Sequence, residues 1–314
     1  MITVIRSGTF TTIQDAGRWG YQTWGLPVSG ALDTYAYQVA NILAGNLPGT
    51  AALELTDEGG IYRFSEGGVG AIAGADMSLT INGQLIANWS SFTIPPGANL
   101  VFGKATKGRR TYLSINGGIN VPSVLGSCST YVMAGIGGRE GRRLYVGDML
   151  EIGKVNHSFK GNYVLPKSLQ PVFKHQWILS VTPGPQANWF SFSARKEFLS
   201  EEFIVSAHAD RSVCEIEGPV LEVPEGELVS DATGWGAIEV PASGRLLLVL
   251  PDHGTTRGFM KIAYVIQADF PKLAQLMPGD KIKFQAVTWH GAVDAYKKQQ
   301  EKLAMLQMLQ KTEE

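Results

Sequence analysis

Cysteine is nearly absent: Cys128 and Cys214 are the two thiols in 314 residues. Two cysteines make neither a disulfide framework nor, by themselves, a metal cage, so no metal is expected. Long apolar runs are missing too. None approaches the roughly 20 residues that span a bilayer, and Met1-Ile2-Thr3-Val4-Ile5-Arg6 lacks the basic-then-apolar pattern of a signal peptide. A cytoplasmic chain with reduced thiols and no membrane partner is expected. Excess charge is also absent, with 27 Lys+Arg against 28 Asp+Glu. No basic face awaits a polyanion, so nucleic acid is not expected as a partner.

Glycine and turn chemistry are plentiful. There are 37 glycines and 15 prolines, with 44% hydrophobic and 18% charged residues. That composition reads as globular and rich in short strands, and the length suits two domains. Strand-like runs fall at 1–6, 70–73, 78–81, 99–102, 111–115 and 149–152. They alternate with turn signals, and Asn82-Gly83 predicts a two-residue hairpin.

Helices are few. Ser29 can cap one over 31–44, with Leu32, Ala36, Val39 and Leu43 on one face. A second is predicted over 186–199 with Trp189, Phe190 and Phe198 on its apolar side. A third starts at Pro271. The tail over 292–310 reads as an amphipathic helix, with Val293, Tyr296, Leu303, Leu306 and Leu309 available for packing.

The irregular polar stretch 153–176 places a boundary between domains at 1–165 and 166–290, followed by a C-terminal helix at 291–314. A faint internal duplication fits two related halves. Arg18 and Gly25 are spaced like Arg211 and Gly218. Tyr112-Leu113-Ser114-Ile115 leads to Gly147-Asp148 much as Tyr264-Val265-Ile266 leads to Gly279-Asp280.

The densest polar segment is 11–33, where Gln14, Asp15, Arg18, Tyr21, Ser29 and Asp33 stand among four glycines. Glycines let backbone approach a ligand, and arginine offers a planar fork of donors for carboxylate or phosphate. A helix starting near Ala31 would aim free N–H groups at the same place. Two interpretations follow. Asp15 and Arg18 pin a loop, or they build an anion site; ion-pair networks make the first the more ordinary.

These residues carry a resemblance. Gln14-Asp15-x-Gly17-Arg18-x-Gly20-Tyr21, then Gly25-x-Pro27-x-Ser29-Gly30-Ala31-x-Asp33, resembles the opening of the carboxyltransferase-type family. That family takes in allophanate hydrolase subunit 2 and the C-type subunit of 5-oxoprolinase. Ordered matches continue through Gly74-Ala75-Asp76, Gly117-Gly118-Ile119, Ser127-x-Ser129-Thr130, Gly184-Pro185-Gln186, Asp210-Arg211 and Val229-Ser230-Asp231. They end with Gly236-Ala237-Ile238, Lys261-Ile262-Ala263 and Pro278-Gly279-Asp280, so the likeness covers roughly residues 3 to 284.

The resemblance implies a mainly β fold of two tandem cyclophilin-like β-barrels with a few short helices. It implies a component of an ATP-dependent 5-oxoprolinase, active only in complex. The partner would be a smaller cyclophilin-like subunit of the Kip-inhibitor type, with a barrel hydrolase subunit alongside. No cofactor would be bound by this chain alone; ATP would enter in the complex. Two alternatives stay open. One is carboxyl transfer from carboxybiotin carried by another protein, as in urea carboxylase. The other is a non-catalytic Kip-type antagonist that binds a kinase inhibitor.

The resemblance also assigns residues. Asp15, Arg18, Tyr21 and Lys261 are expected to be catalytic. Gln14, Ser29, Asp33, Arg211, Asp252, Thr255 and Thr256 are expected to bind substrate. Departures cluster in the second half. Where the family usually reads Asp-x-Gln-Thr-Thr-Gly-Gly-Tyr-Pro-Lys, this chain has Asp252-His253-Gly254-Thr255-Thr256-Arg257-Gly258-Phe259-Met260-Lys261. Glu239 stands where glutamine is frequent, and Cys128 where arginine is. His253 beside Asp252 reads first as a turn residue and second as an acid–base group. Both cysteines read as core or loop thiols, since no Cys-His pair is visible. The glycine- and arginine-rich stretch 135–143 lacks the Gly-Lys-Ser/Thr ending of a phosphate loop and any βαβ context.

Overall fold

The computed structural model describes residues 1–226 and 228–311. It divides into two compact units. The first comprises Met1–Arg18, Ser29–Phe173 and Gln300–Glu314; the second comprises Trp19–Val28 and Lys174–Gln299. The main change of unit, Phe173 to Lys174, lies inside the polar stretch 153–176. The fold is mainly β, as expected. Among the described residues no helix is long and apolar enough to cross a membrane.

The first unit holds two sheets. One runs in the order Ile119–Asn120, Met149–Ile152, Ile2–Arg6, Ile61–Phe64, Asn99–Val101, Thr80–Ile81, Gln84–Leu85. The other runs Phe10–Gln14, Ala52–Thr56, Arg110–Ile115, Gly68–Gly74, Ser90–Ile94. Asn82 and Gly83 take left-handed φ angles of 50° and 86° and close the predicted hairpin, the geometry that twisted strands demand. Ala52–Thr56 and Arg110–Ile115 are buried at every position, so both faces of the five-stranded sheet are covered. One face meets a core that includes Ile13, Leu53, Ile72 and Leu113. The other meets helix α1 (Thr34–Leu43), whose Tyr35, Ala36, Val39 and Ala40 pack with Ala52, Ala71 and Ala73. Small alanines on the strands let the helix approach closely. Each fully buried large apolar side chain in these layers contributes about 1.5–3 kcal/mol.

Helix α1 begins three residues later than predicted, and Ser29 does not cap it. Ser29 and Gly30 have φ of 55° and 83°, so the chain turns there. The next two N–H groups are taken by other elements: Ala31 N bonds Asp15 O and Leu32 N bonds a Glu54 carboxylate oxygen. Asp33 becomes the cap and accepts from Ala36 N at 2.8 Å, which satisfies one of the orphan donors of the first turn.

The second unit is a closed seven-stranded barrel in the order Gln176–Pro183, Met260–Val265, Ala237–Val240, Leu246–Val249, Val213–Glu217, Phe203–Ala209, Lys281–Ala286. The last strand closes onto the first in parallel, in register from Gln176↔Lys281 to Val181↔Ala286. A separate two-stranded ribbon pairs Asp231–Ala232 with Thr256–Arg257.

The helix predicted over 186–199 is two pieces, a 3-10 turn Ala187–Trp189 and helix α2 (Phe192–Ser200). Ser191 interrupts it by accepting from Ala194 N as a cap, the role for which serine competes best. Phe190 and Phe198 are buried as expected, whereas Trp189 is exposed. Pro271 sits in the first turn of α3 (Phe270–Gln275). Helix α4 spans Trp289–Lys311, with Leu303 and Leu306 buried in the α1 cluster of the first unit. Leu309 lies outside the described side chains.

The suspected duplication has a concrete counterpart. In the first unit Gly147 N donates to Val4 O, Val4 N to Asp148 O, and Tyr145 N to the Asp148 carboxylate. In the second, Gly279 N donates to Val205 O, Val205 N to Asp280 O, and Met277 N to the Asp280 carboxylate. The same Gly-Asp turn thus feeds a strand in each unit.

Candidate functional site

Two polar clusters emerge, one within each unit. In the first, Asp15 follows the strand Phe10–Gln14. Its Oδ1 accepts from Gly17 N at 2.9 Å and from the hydroxyls of Ser127 and Ser129; its Oδ2 accepts from Cys128 N at 2.5 Å. Arg18 is fully buried. Its Nε donates to Val124 O at 3.0 Å and its Nη2 to Ser129 O at 2.9 Å. Both side chains therefore hold the 124–129 segment. Gly137 leaves room for this: a Cβ there would lie 1.9 Å from Ser129 O and 2.9 Å from Arg18 Nη2.

Gln14 Nε2 donates to Thr12 Oγ1 and Thr130 O. Asp33 is committed to capping α1, and the buried Ser29 hydroxyl has no hydrogen-bond partner among the described residues. Burial, and secondarily the Asp15 charge, push the Cys128 thiol up, opposite to what a nucleophile needs. Cys214 is buried in a barrel strand. Nearby in the first unit, the 135–141 stretch lines a cavity of about 770 Å³ together with Asn120–Pro122, Val124 and Met149–Glu151.

In the second unit, Lys261 lies on the barrel strand Met260–Val265 and is fully buried. Its backbone N donates to Gln186 Oε1 at 3.1 Å, and its Nζ stands 3.4 Å from Asp231 Oδ2. Its register partner on the adjacent strand is Glu239, also fully buried. Thr233 Oγ1 donates to Glu239 Oε1 at 2.7 Å, while Arg257 Nη1 is 3.5 Å from Oε2. Burial raises the Glu239 carboxyl, although Thr233, Arg257 and Lys261 pull it down. Asp231 is held below the usual carboxylate range by the Ala232 N–H and then by Lys261. Tyr264 is pushed up by burial and by Glu239.

The remaining predicted residues divide. Arg211 and Asp252 form a buried fork-to-fork pair at 2.8 and 3.2 Å. Thr255 lends its carbonyl to Thr233 N, and Thr256 pairs with Ala232 in the ribbon. Tyr21 is half-buried and opens a 3-10 turn, Gln22–Trp24, accepting through its carbonyl from Trp24 N and Leu26 N. His253 is buried with its Nδ1 2.6 Å from Gly254 O.

Sequence reasoning assigned no role to Gln186, Asp231 or Glu239, yet these surround Lys261. A signal existed: Glu239 and Arg257 both depart from the family pattern, and the structure pairs them. Together they keep the cluster's net charge what a glutamine and a glycine would leave.

A profile of the carboxyltransferase domain, subdomains A and B, matches residues 24–286. The C-type subunit of 5-oxoprolinase from Escherichia coli K12 is 33% identical over 305 residues, covering 96% of each chain. The urea amidolyase of Saccharomyces cerevisiae is 33% identical over 311 residues, covering 93% of this chain and 17% of that protein. The crystal structure of Kluyveromyces lactis urea amidolyase superimposes with a TM-score of 0.92 at 30% identity, over 97% of this chain. The chain spans 20% of that larger protein.

Proposed function

Since the chain belongs to the family of carboxyltransferase domains, subdomains A and B, we propose that it is the C-type component of an ATP-dependent 5-oxoprolinase. The reaction is 5-oxo-L-proline, ATP and water to L-glutamate, ADP and phosphate. The chain works in complex with a smaller cyclophilin-like subunit and a barrel hydrolase subunit.

The observation that carries this reading is the state of Lys261. A buried ammonium is costly unless its charge is well met. Here it is met at 3.4 Å by a half-exposed carboxylate. Such a group is suited to holding a ligand's anion. Glu239, raised by burial beside it, is suited to moving a proton at the lactam. Asp15 and Arg18 serve as positioning residues that fix the 124–129 segment. Reciprocal coverage of 96% with a 5-oxoprolinase component adds support.

ATP is met in the complex rather than on the glycine-rich stretch of this chain. Gly135 N, Ile136 N, Gly138 N and Gly141 N all donate to backbone carbonyls of their own unit, so they do not present the free N–H cradle that phosphates require.

A second reading, carboxyl transfer from carboxybiotin brought by another protein, is favoured by the likeness to urea amidolyase at a TM-score of 0.92. There the same Lys261 would hold the migrating carboxylate. Reconstitution with the two partner subunits separates them. Glutamate formation from 5-oxo-L-proline and ATP is expected, and Lys261→Met should lower it at least ~100-fold, the scale of one lost charged donor. Carboxybiotin-dependent turnover without glutamate would favour the second reading, and full activity of the Lys261 variant would remove this site from both.

A further inference from the structure

Lys261 and the three charges around it form two crossed pairs. Lys261 and Glu239 are register partners on neighbouring barrel strands. Asp231 and Arg257 are register partners in the two-residue ribbon, which joins no barrel strand. Each ribbon charge faces the opposite barrel charge: Asp231 Oδ2 is 3.4 Å from Lys261 Nζ, and Arg257 Nη1 is 3.5 Å from Glu239 Oε2. Both separations exceed the ~2.8 Å of a well-made charged hydrogen bond, the length that Arg211 and Asp252 reach in the same barrel. Among the described residues Glu239 Oε2 has no well-formed hydrogen bond. The barrel pair is fully buried, whereas the Asp231 and Arg257 side chains are 49% and 23% exposed. The approach to the ribbon is open, with Val229 exposed and glycines at 254 and 258 on its other arm.

We propose that this ribbon is a displaceable cover, and that Asp231 occupies in the unliganded chain the place on Lys261 that belongs to the carboxylate of a small monocarboxylic ligand. The inference rests on the reading of Lys261 as the anion-holding group. A ligand carboxylate arriving at Lys261 displaces Asp231. Because the ribbon's backbone ladder ties Asp231 to Arg257, the same movement draws Arg257 away from Glu239. Carboxylate capture and the uncovering of Glu239 are then one event. A ligand without a carboxylate gains nothing from Lys261 and leaves the cover in place, so the device selects for acids. It also lowers apparent affinity by the fraction of time the cover is on.

The test uses the full chain and 5-oxo-L-proline as probe, with binding followed by titration calorimetry and ligand-observed NMR. Asp231→Asn keeps the size of a half-exposed side chain and removes the internal competitor. It should bind the probe roughly 10-fold more tightly than the unaltered chain, as expected where a cover is closed about nine-tenths of the time. Pyrrolidin-2-one, the same lactam without its carboxylate, should show no gain. Lys261→Met should abolish binding in either background. Binding unchanged or weakened in Asp231→Asn, with Lys261→Met still abolishing it, would overturn the cover and leave the role of Lys261 standing. Binding that survives Lys261→Met would overturn that role instead. Failure of Asp231→Asn, melting like the unaltered chain, to bind the probe at all would also overturn the cover, because an uncovered site must take its ligand.

Discussion

Arg18 is the residue whose replacement discriminates most sharply between holding a ligand and holding the fold. Arg18→Ala removes the donors to Val124 O and Ser129 O, at 3.0 and 2.9 Å, and weakens the cover over Ser127 O at 3.5 Å. A buried acceptor that loses its donor costs about 1–3 kcal/mol, so two well-made bonds set a loss of about 3–5 kcal/mol once water partly fills the gap. At roughly 2–4 °C per kcal/mol for a unit of this size, the melting temperature should fall by roughly 10 °C. Circular dichroism melts of the full chain would register it. Arg18→Lys should recover part of the loss, since an ammonium reaches one carbonyl but cannot fork across two. The reasoning is refuted if Arg18→Ala melts within about 2 °C of the unaltered chain, and doubly so if 5-oxoproline turnover in the assembled enzyme collapses at the same time.

Three further outcomes are expected. Asp33→Ala should cost about 1 kcal/mol through loss of the α1 cap and leave 5-oxo-L-proline affinity unchanged; a selective loss of affinity would make Asp33 a ligand group. Gly137→Ala should destabilise by more than about 2 kcal/mol, because its φ is 71° and the nearest atom its new Cβ meets is the backbone oxygen of Ser129, which cannot swing aside as a side chain would; an unchanged melt would contradict this. Burial lowers His253 below its ordinary pKa of 6.5, with the Gly254 carbonyl opposing. Between the lowered value and about 6.5 the unfolded chain binds a proton that the folded chain does not, so stability is held above about pH 6.5 and declines as pH falls through that window. Melts from about pH 7.5 to about pH 5.5 should therefore decline more steeply for the unaltered chain than for His253→Asn, and parallel curves would refute the assignment.

The legible parts of the fold were those decided locally. Asn82-Gly83 carries its own turn geometry, Met149–Ile152 is bounded by a Gly-Asp turn, and Pro271 marks a helix start without help. The start of α1 was misplaced because Ala31 N and Leu32 N are claimed by Asp15 and Glu54, the second from 22 residues away. The predicted helix over 186–199 broke because one serine hydroxyl had a better use as a cap. The same division runs through the candidate sites. Asp15 and Arg18 stood out by composition, but what they hold, residues 124–129, lies more than a hundred positions downstream. Lys261 was visible as a motif residue. Its neighbours Asp231 and Glu239 come to it through strand register and ribbon pairing, which no local pattern encodes.

The parallel junction that closes the barrel has a consequence for how the protein is made. Gln176–Pro183 leaves the ribosome about a hundred residues ahead of Lys281–Ala286, the strand it must lie beside. At roughly 5–20 residues per second, that first strand waits on the order of 5–20 s for this neighbour, and for most of that time its other neighbour, Met260–Val265, is missing as well. Its inward positions Trp177, Leu179 and Val181 are apolar, and a bare apolar edge is what aggregating chains recruit. Formation of the second unit in cells should therefore depend on chaperone supply and on growth temperature.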